Sequence, residues 1–209
     1  MNIAVVAANG KAGKLIVNEL VDRGQDVTAI AREEGALSAA QRYVQKDIMD
    51  LTVADLEGFD AVIDAFGAWT PETLSQHTTT LMHLADVLSG TKTRLLVVGG
   101  AGSLYVDPQH TMTLSETPEF LSDYKPLATA MQDALTKLRA RKDVKWTYIS
   151  PAADFQAEGE RTGEYLLAGE ELTMGENGSV ISYADYAVAM ADEVISGNHI
   201  QERISVVRK

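Results

Sequence analysis

The chain is 209 residues long and 45% hydrophobic, which suffices for one sizeable core and points to a single domain, residues 1–209, with a small lobe on one edge. Its 18 Lys and Arg against 30 Asp and Glu leave a formal charge of −12, so nucleic acid is excluded as a partner and any phosphate site must be a local basic focus. Cysteine is absent, which excludes disulfides, thiol catalysis and cysteine-bound metal; with no apolar run near the roughly 20 residues of a membrane span, a cytoplasmic protein without membrane or metal partners is expected.

Residues 2–6, Asn-Ile-Ala-Val-Val, read as a buried strand that runs into Ala-x-x-Gly-x-x-Gly at residues 7–13. Leu15, Ile16, Leu20 and Val21 then take up helical spacing. Strand, glycine turn and helix in this order are the context in which such a corner binds a dinucleotide, because unpaired amides and the positive end of the helix dipole receive the pyrophosphate. Ala7, Asn9, Gly10, Lys11, Ala12 and Gly13 are the candidate cofactor residues of that turn. Gly10 lets the backbone approach the phosphates, and Gly13 lets the helix pack closely on the strand. Ala7 stands where the usual triplet has its first glycine.

Arg23-Gly24 ends this helix, and residues 26–31 form a second strand. Third and fourth strands are read at 42–48 and 60–66, with a short helix within 51–58. Thr70-Pro71-Glu72, a capping residue followed by proline and an acid, predicts a long helix from there to about residue 88. A fifth strand follows at 94–100. Thr117-Pro118-Glu119 repeats the helix-start signal, and Met131, Leu135 and Leu138 carry an apolar stripe toward Arg141. A sixth strand occupies 146–151, and five glycines punctuate residues 152–180, where a small substrate-side lobe fits. Ser182 and Asp185 read as a reciprocal cap to a last helix, and residues 203–207 close the chain as a strand. The alternation implies an α/β class, a Rossmann-like doubly wound parallel sheet.

Where such folds select NAD, an acid ending the second strand accepts bonds from the adenosine ribose. Here the position holds Arg32, which cannot accept those bonds but can pair with a 2′-phosphate, so NADP(H) is favoured over NAD(H). A surface arginine flanked by Glu33 and Glu34 is the plainer reading. Asp47 and Ile48 fit beside the adenine, and Phe66 and Gly67, ending the fourth strand, beside the nicotinamide-side ribose and phosphates.

Gly99, Gly100 and Ser103 leave the fifth strand at the carboxyl edge, where open parallel sheets bind ligands. The Ser103 hydroxyl either orients an acceptor or closes a turn. Tyr105, Asp107 and His110 follow in a loop that could line the pocket, with His110 a candidate proton donor. Tyr124 is the candidate for the tyrosine that short-chain dehydrogenases pair with a lysine four residues on, but Ala128 occupies the lysine's place. Without that acid, a planar acceptor such as a flavin or quinone, which takes its proton from water or a weak donor, fits better than a ketone.

The motifs at residues 8–13 (Ala-Asn-Gly-Lys-Ala-Gly), 98–104 (Val-Gly-Gly-Ala-Gly-Ser-Leu), 146–152 (Trp-Thr-Tyr-Ile-Ser-Pro-Ala), 159–163 (Gly-Glu-Arg-Thr-Gly) and 181–187 (Ile-Ser-Tyr-Ala-Asp-Tyr-Ala) span nearly the whole chain. In this set the chain resembles the NADH-flavin reductase-like, NAD(P)-binding atypical short-chain dehydrogenases, relatives of biliverdin reductase B and the NmrA-like proteins. The resemblance implies a Rossmann fold, NADP(H), and reduction of FMN, FAD or a similar planar acceptor as substrate. It also implies that Pro151 and Ala152 lie near the nicotinamide amide, and that Ser103 lies at the nicotinamide face. A catalytically weak NADP(H)-binding redox sensor of NmrA-like type is the alternative, and a nucleotide-sugar epimerase a more distant one. A homodimer is compatible with the sequence.

Overall fold

The computed structural model describes residues 1–33 and 39–209; Glu34, one flank of Arg32, lies outside them. Strand β1 (Asn2–Val6) is apolar on both faces because both are covered. Ile3 and Val5 pack with Ile16 and Leu20 of helix α1 (Lys11–Asp22), whereas Ala4 and Val6 pack with residues from the opposite face. The other strands are β2 (Asp26–Ala31), β3 (Arg42–Gln45), β4 (Ala61–Asp64), β5 (Arg94–Val98), β6 (Lys145–Ser150), β8 (Tyr165–Ala168) and β10 (Glu202–Arg208). They join in the order β3-β2-β1-β4-β5-β6-β10-β8, all parallel except β8, which runs antiparallel to β10. Strands β7 (Asp154–Gln156) and β9 (Val180–Ser182) form a separate two-stranded parallel pair.

Helices α1 and α5 (Tyr183–Ser196) pack together on one face of the sheet, and α3 (Gln76–Val87) and α4 (Lys125–Arg139) on the other. The first core includes Ile63, Ile149, Tyr186 and Met190, the second Leu84, Leu88, Leu135, Leu138 and Tyr148. Short helix α2 (Val53–Leu56) falls within the segment expected for it. Gly24 ends α1 with φ +73, and its neighbour Gln25 donates its amide to Leu20 O at 3.0 Å, closing the last turn. No helix among the described residues is long and apolar enough to cross a membrane.

Two helix starts differ from the sequence expectation. Residues 70–75 are wound by short-range turns, including Gln76 N to Thr73 O at 2.9 Å, so α3 begins only at Gln76. Thr117-Pro118-Glu119 starts no helix either. Thr113 and Glu116 close a local turn, the Thr113 amide donating to Glu116 Oε2 at 2.7 Å, and α4 begins at Lys125 with Pro126 in its first turn. At α5, Ser182 Oγ accepts from the Asp185 amide at 2.9 Å as read. The Asp185 carboxylate does not reach back, because it accepts from Thr162 N and Gly163 N at 2.8 and 2.7 Å and from Thr162 Oγ1 at 2.8 Å. Residues 161–163 therefore form a corner anchored on a fully buried acid.

Candidate functional site

The strand order reverses between β1 and β4, and a cleft opens outside the carboxyl ends of the strands at such a point. A cleft of about 1780 Å³ runs from the glycine turn across the ends of β1, β4, β5 and β6 to the N-terminal part of α4. The turn is built tightly. Ala7 takes φ +58, the left-handed conformation that a glycine adopts without strain, and its carbonyl accepts from Gly10 N at 3.1 Å. A Cβ on Gly13 would stand 2.7 Å from Ala7 O and 3.0 Å from Ala8 Cα, so only glycine lets α1 approach β1 this closely. Helix α1 carries neither a side-chain cap nor an acid in its first turn. Its leading amides therefore remain available for an anion, and the residues present fit a pyrophosphate.

Ala7, Asn9, Gly10, Lys11 and Ala12 line the cleft; Gly13 is buried behind them. Asn9 Nδ2 donates to Glu33 O at 2.6 Å, tying the turn to the end of β2. Arg32 and Asp47 face each other across this end, Nε to Oδ2 3.9 Å, both well exposed, with Ile48 beside them. Lys46 lines the same end but is held by Asp55, whose carboxyl is lowered to about 2 chiefly by the hydrogen bond from Lys46. Phe66 and Gly67 follow β4, and the nearest atom to a Cβ on Gly67 would be Trp69 Nε1 at 3.5 Å, so nothing in the fold itself demands glycine there.

Beyond β5 the residues 99–103 form the floor. Gly99, Gly100, Ser103, Pro151 and Ala152 all line the cleft. The loop is fixed from below, since Tyr148 Oη accepts from Gly100 N at 3.1 Å and burial pushes that phenol up to about 12. Arg203 Nη1 donates to Ser103 Oγ at 3.3 Å and Nη2 to Ser103 O at 3.2 Å. Tyr124 lines the cleft just before α4 and is 53% exposed. Ala128 is buried against Gly102, whose Cβ would come within 2.6 Å of the Ala128 methyl. That close approach demands glycine at 102, and Ala128 itself lines the cleft.

His110 lies apart from these residues and does not line the cleft. Its ring stacks on Tyr105 at 4.3 Å and its Nε2 sits 2.8 Å from Glu171 Oε1, which draws it to the far side of its loop. Tyr105 and Asp107 are also outside the lining; the Asp107 carboxylate instead closes its loop by accepting from the amides of Gln109, Thr111 and Met112.

Several lining residues had no sequence signal of their own. His77 is buried, its Nε2 3.0 Å from Ala68 O, and burial lowers its pKa, so it stays neutral and pins the 66–69 segment. Trp69, Leu121 and Met174 are 68%, 66% and 62% exposed, yet all three line the cleft, as do Phe120, Leu127 and Met131. Phe155 and Tyr183 pack ring to ring at 4.0 Å on the same wall. Large apolar side chains left open around one concavity indicate a ligand surface. An aromatic three residues after a strand-ending Phe-Gly was the one clue in the sequence.

A family model described as NAD(P)H-binding matches residues 7–194. Protein YwnB of Bacillus subtilis (strain 168), itself uncharacterized, is 42% identical over 99% of this chain and 98% of its own length. A crystal structure from Streptococcus pneumoniae TIGR4, described as a "putative NADH-flavin reductase", is 53% identical, covers 100% of both chains and superposes with a TM-score of 0.97. A Bacteroides thetaiotaomicron structure described as a "putative epimerase" is 31% identical over 99% of this chain and 96% of its own, with a TM-score of 0.85.

Proposed function

Because the chain belongs to the NAD(P)H-binding family, we propose that it is an NADPH-dependent oxidoreductase that delivers hydride to a flavin, quinone or comparable planar acceptor. One observation carries this reading. A single cleft joins an end that holds Lys11, Arg32 and the uncapped start of α1 to an end walled by open aromatic and aliphatic side chains, and the tyrosine of the second end has no lysine partner.

The reduced nicotinamide supplies the hydride when bound. The amides at the start of α1 bind the pyrophosphate, Lys11 adds charge there, and Arg32 pairs with the 2′-phosphate. Asp47 stands 3.9 Å from Arg32 at that end, and the small Gly67 leaves space for the ribose. On the other side Trp69 and the Phe155–Tyr183 pair offer flat faces to a flat ring, which excludes water and sets the approach distance. Ser103, whose Oγ accepts from Arg203, keeps its own proton free to donate to a ring heteroatom. The second proton of the reduction comes from solvent at the open mouth.

A redox sensor is the second reading, favoured by the same missing lysine. The test is to mix the purified protein with NADPH or NADH and follow absorbance on adding FMN, riboflavin or menadione. Turnover faster with NADPH supports the proposal; preference for NADH removes the role given to Arg32. Tight, equal binding of oxidised and reduced cofactor without turnover of any acceptor would sink the reductase reading in favour of the sensor.

A further inference from the structure

Charge is distributed unevenly along the cleft. Its lining cations, Lys11, Arg32 and Lys46, all lie at the end next to β1, β2 and β3. Away from that end the charged lining residues are Glu119, shortly before α4, and Asp154, at the start of β7, both exposed; Lys11 is itself paired with Glu158, Nζ to Oε1 3.5 Å. Among the described residues no lysine or arginine lines the α4 end, and residues 34–38 contain none. Lys125 follows Tyr124 but lies outside the lining. The nearest buried guanidinium, Arg203, has a side chain 1% exposed and is bound by Glu170 behind Ser103, so it offers nothing to a ligand.

Resting on the reductase reading above, we propose that the acceptor is an uncharged planar molecule, a quinone or an isoalloxazine without a phosphate, and that FMN, FAD and other anionic acceptors are disfavoured. Of the cations, Lys11 and Arg32 are taken up by the cofactor's own phosphates and Lys46 is held by Asp55. A phosphate tail or a propionate at the α4 end meets Glu119 and the field of a chain with net charge −12, with no lysine or arginine among the described lining residues there. Apolar atoms of Leu121, Leu127, Met131 and Met174 are the right surface for a neutral ring. In the reaction a quinone gains a hydride with its two electrons and one proton from solvent and leaves as the neutral hydroquinone, the reduced nicotinamide being oxidised in the same step.

Binding is tested apart from turnover. Riboflavin and FMN are titrated against the full chain in the presence of NADP+, with quenching of flavin fluorescence as the readout, at low and high ionic strength. Riboflavin should bind about tenfold more tightly than FMN at low salt, and the ratio should shrink as salt screens the carboxylates. Glu119→Lys, on an exposed site, should strengthen FMN by about tenfold and leave riboflavin within about twofold. Menadione and its anionic sulfonate analogue, read by displacement of riboflavin, provide a second pair with the same expected order. Equal affinity for the two flavins, tighter FMN, or absence of binding by both riboflavin and menadione overturns the proposal. Selective riboflavin binding without oxidation of NADPH leaves the charge preference standing and removes the reductase reading instead.

Discussion

Arg203 of β10 holds Ser103 by two bonds at once, from Nη1 to the hydroxyl and from Nη2 to the carbonyl, and is itself gripped by Glu170. A guanidinium from the last strand thus sets the floor of the cleft. Burial by itself would raise the Glu170 carboxyl, but hydrogen bonds from Arg203 and Arg139 bring it below its usual value. A lowered folded value adds stability that is present above the unfolded pKa of 4.5 and is lost as pH falls through the folded one. Arg203→Met should cost about 1–3 kcal/mol at neutral pH, since it leaves the Ser103 carbonyl without a donor and the half-buried Glu170 carboxylate with Arg139 as its remaining partner. Denaturant unfolding of this variant and of Arg203→Lys checks it, the lysine recovering part of the loss. The difference from wild type should narrow on acidification below about pH 4.

Arg32 gives the sharpest test of cofactor choice. Its 3.9 Å approach to Asp47 is between exposed groups, so the pair itself contributes little to stability. Charge-assisted bonds to a phosphate are worth about 1.5–3 kcal/mol. Arg32→Ala should therefore weaken NADPH by roughly 10- to 100-fold and NADH by less than about threefold, with an unchanged melting temperature. Calorimetric titration of both cofactors measures this, and unchanged NADPH affinity would remove the assignment.

The central strands were legible because they are short apolar runs bounded by turn residues, and the glycine turn because its spacing is local. The cofactor candidates at strand ends converge on one cleft for the same reason: in an open parallel sheet all carboxyl ends lie on one side. What could not be read depended on partners distant in sequence. Asp185 sits at a capping position yet serves residues 162 and 163, and Glu116 was claimed by Thr113 before Thr117 could start a helix. His110 belongs to a loop whose direction is set by Tyr105 and Glu171. The apolar wall around Trp69 draws on segments from residue 66 to residue 183, and no periodicity joins them.

Asp64 ends β4 almost wholly buried, and among the described residues its carboxyl accepts only from Phe66 N at 3.0 Å. Burial raises its pKa to about 6 from 3.8. A raised folded value means that its contribution is fully present below the unfolded pKa and is lost as pH rises through about 6. At about pH 7.5 the buried charge opposes folding, so Asp64→Asn should be more stable than wild type by about 1–3 kcal/mol, the lower figure applying if the new amide NH2 finds no acceptor. At about pH 3.5 the advantage should vanish. Urea unfolding at the two pH values decides it.

Ala7 occupies a conformation that costs a non-glycine residue about 1 kcal/mol. Glycine there removes the strain while adding freedom to the unfolded chain, so Ala7→Gly should raise the melting temperature by about 1–2 °C. Affinity for NADPH should stay within about twofold, because the amides at the start of α1 keep their places. A fall in stability would show that the Ala7 methyl has a packing role.

Tyr124 decides whether the cleft uses a side-chain acid at all. It lies open at the cleft wall, and the place of its lysine partner is taken by Ala128, which packs against Gly102. A working general acid contributes about 100- to 10,000-fold, so its removal is easy to see. Tyr124→Phe should keep kcat for a quinone within about threefold and preserve the ring face that the acceptor packs on. Tyr124→Ala should raise KM for the acceptor several-fold, roughly the loss of one aromatic contact, with kcat again little changed. Steady-state kinetics with menadione separates the outcomes: a loss of kcat near 100-fold in Tyr124→Phe would make Tyr124 the proton donor and remove the solvent-proton route.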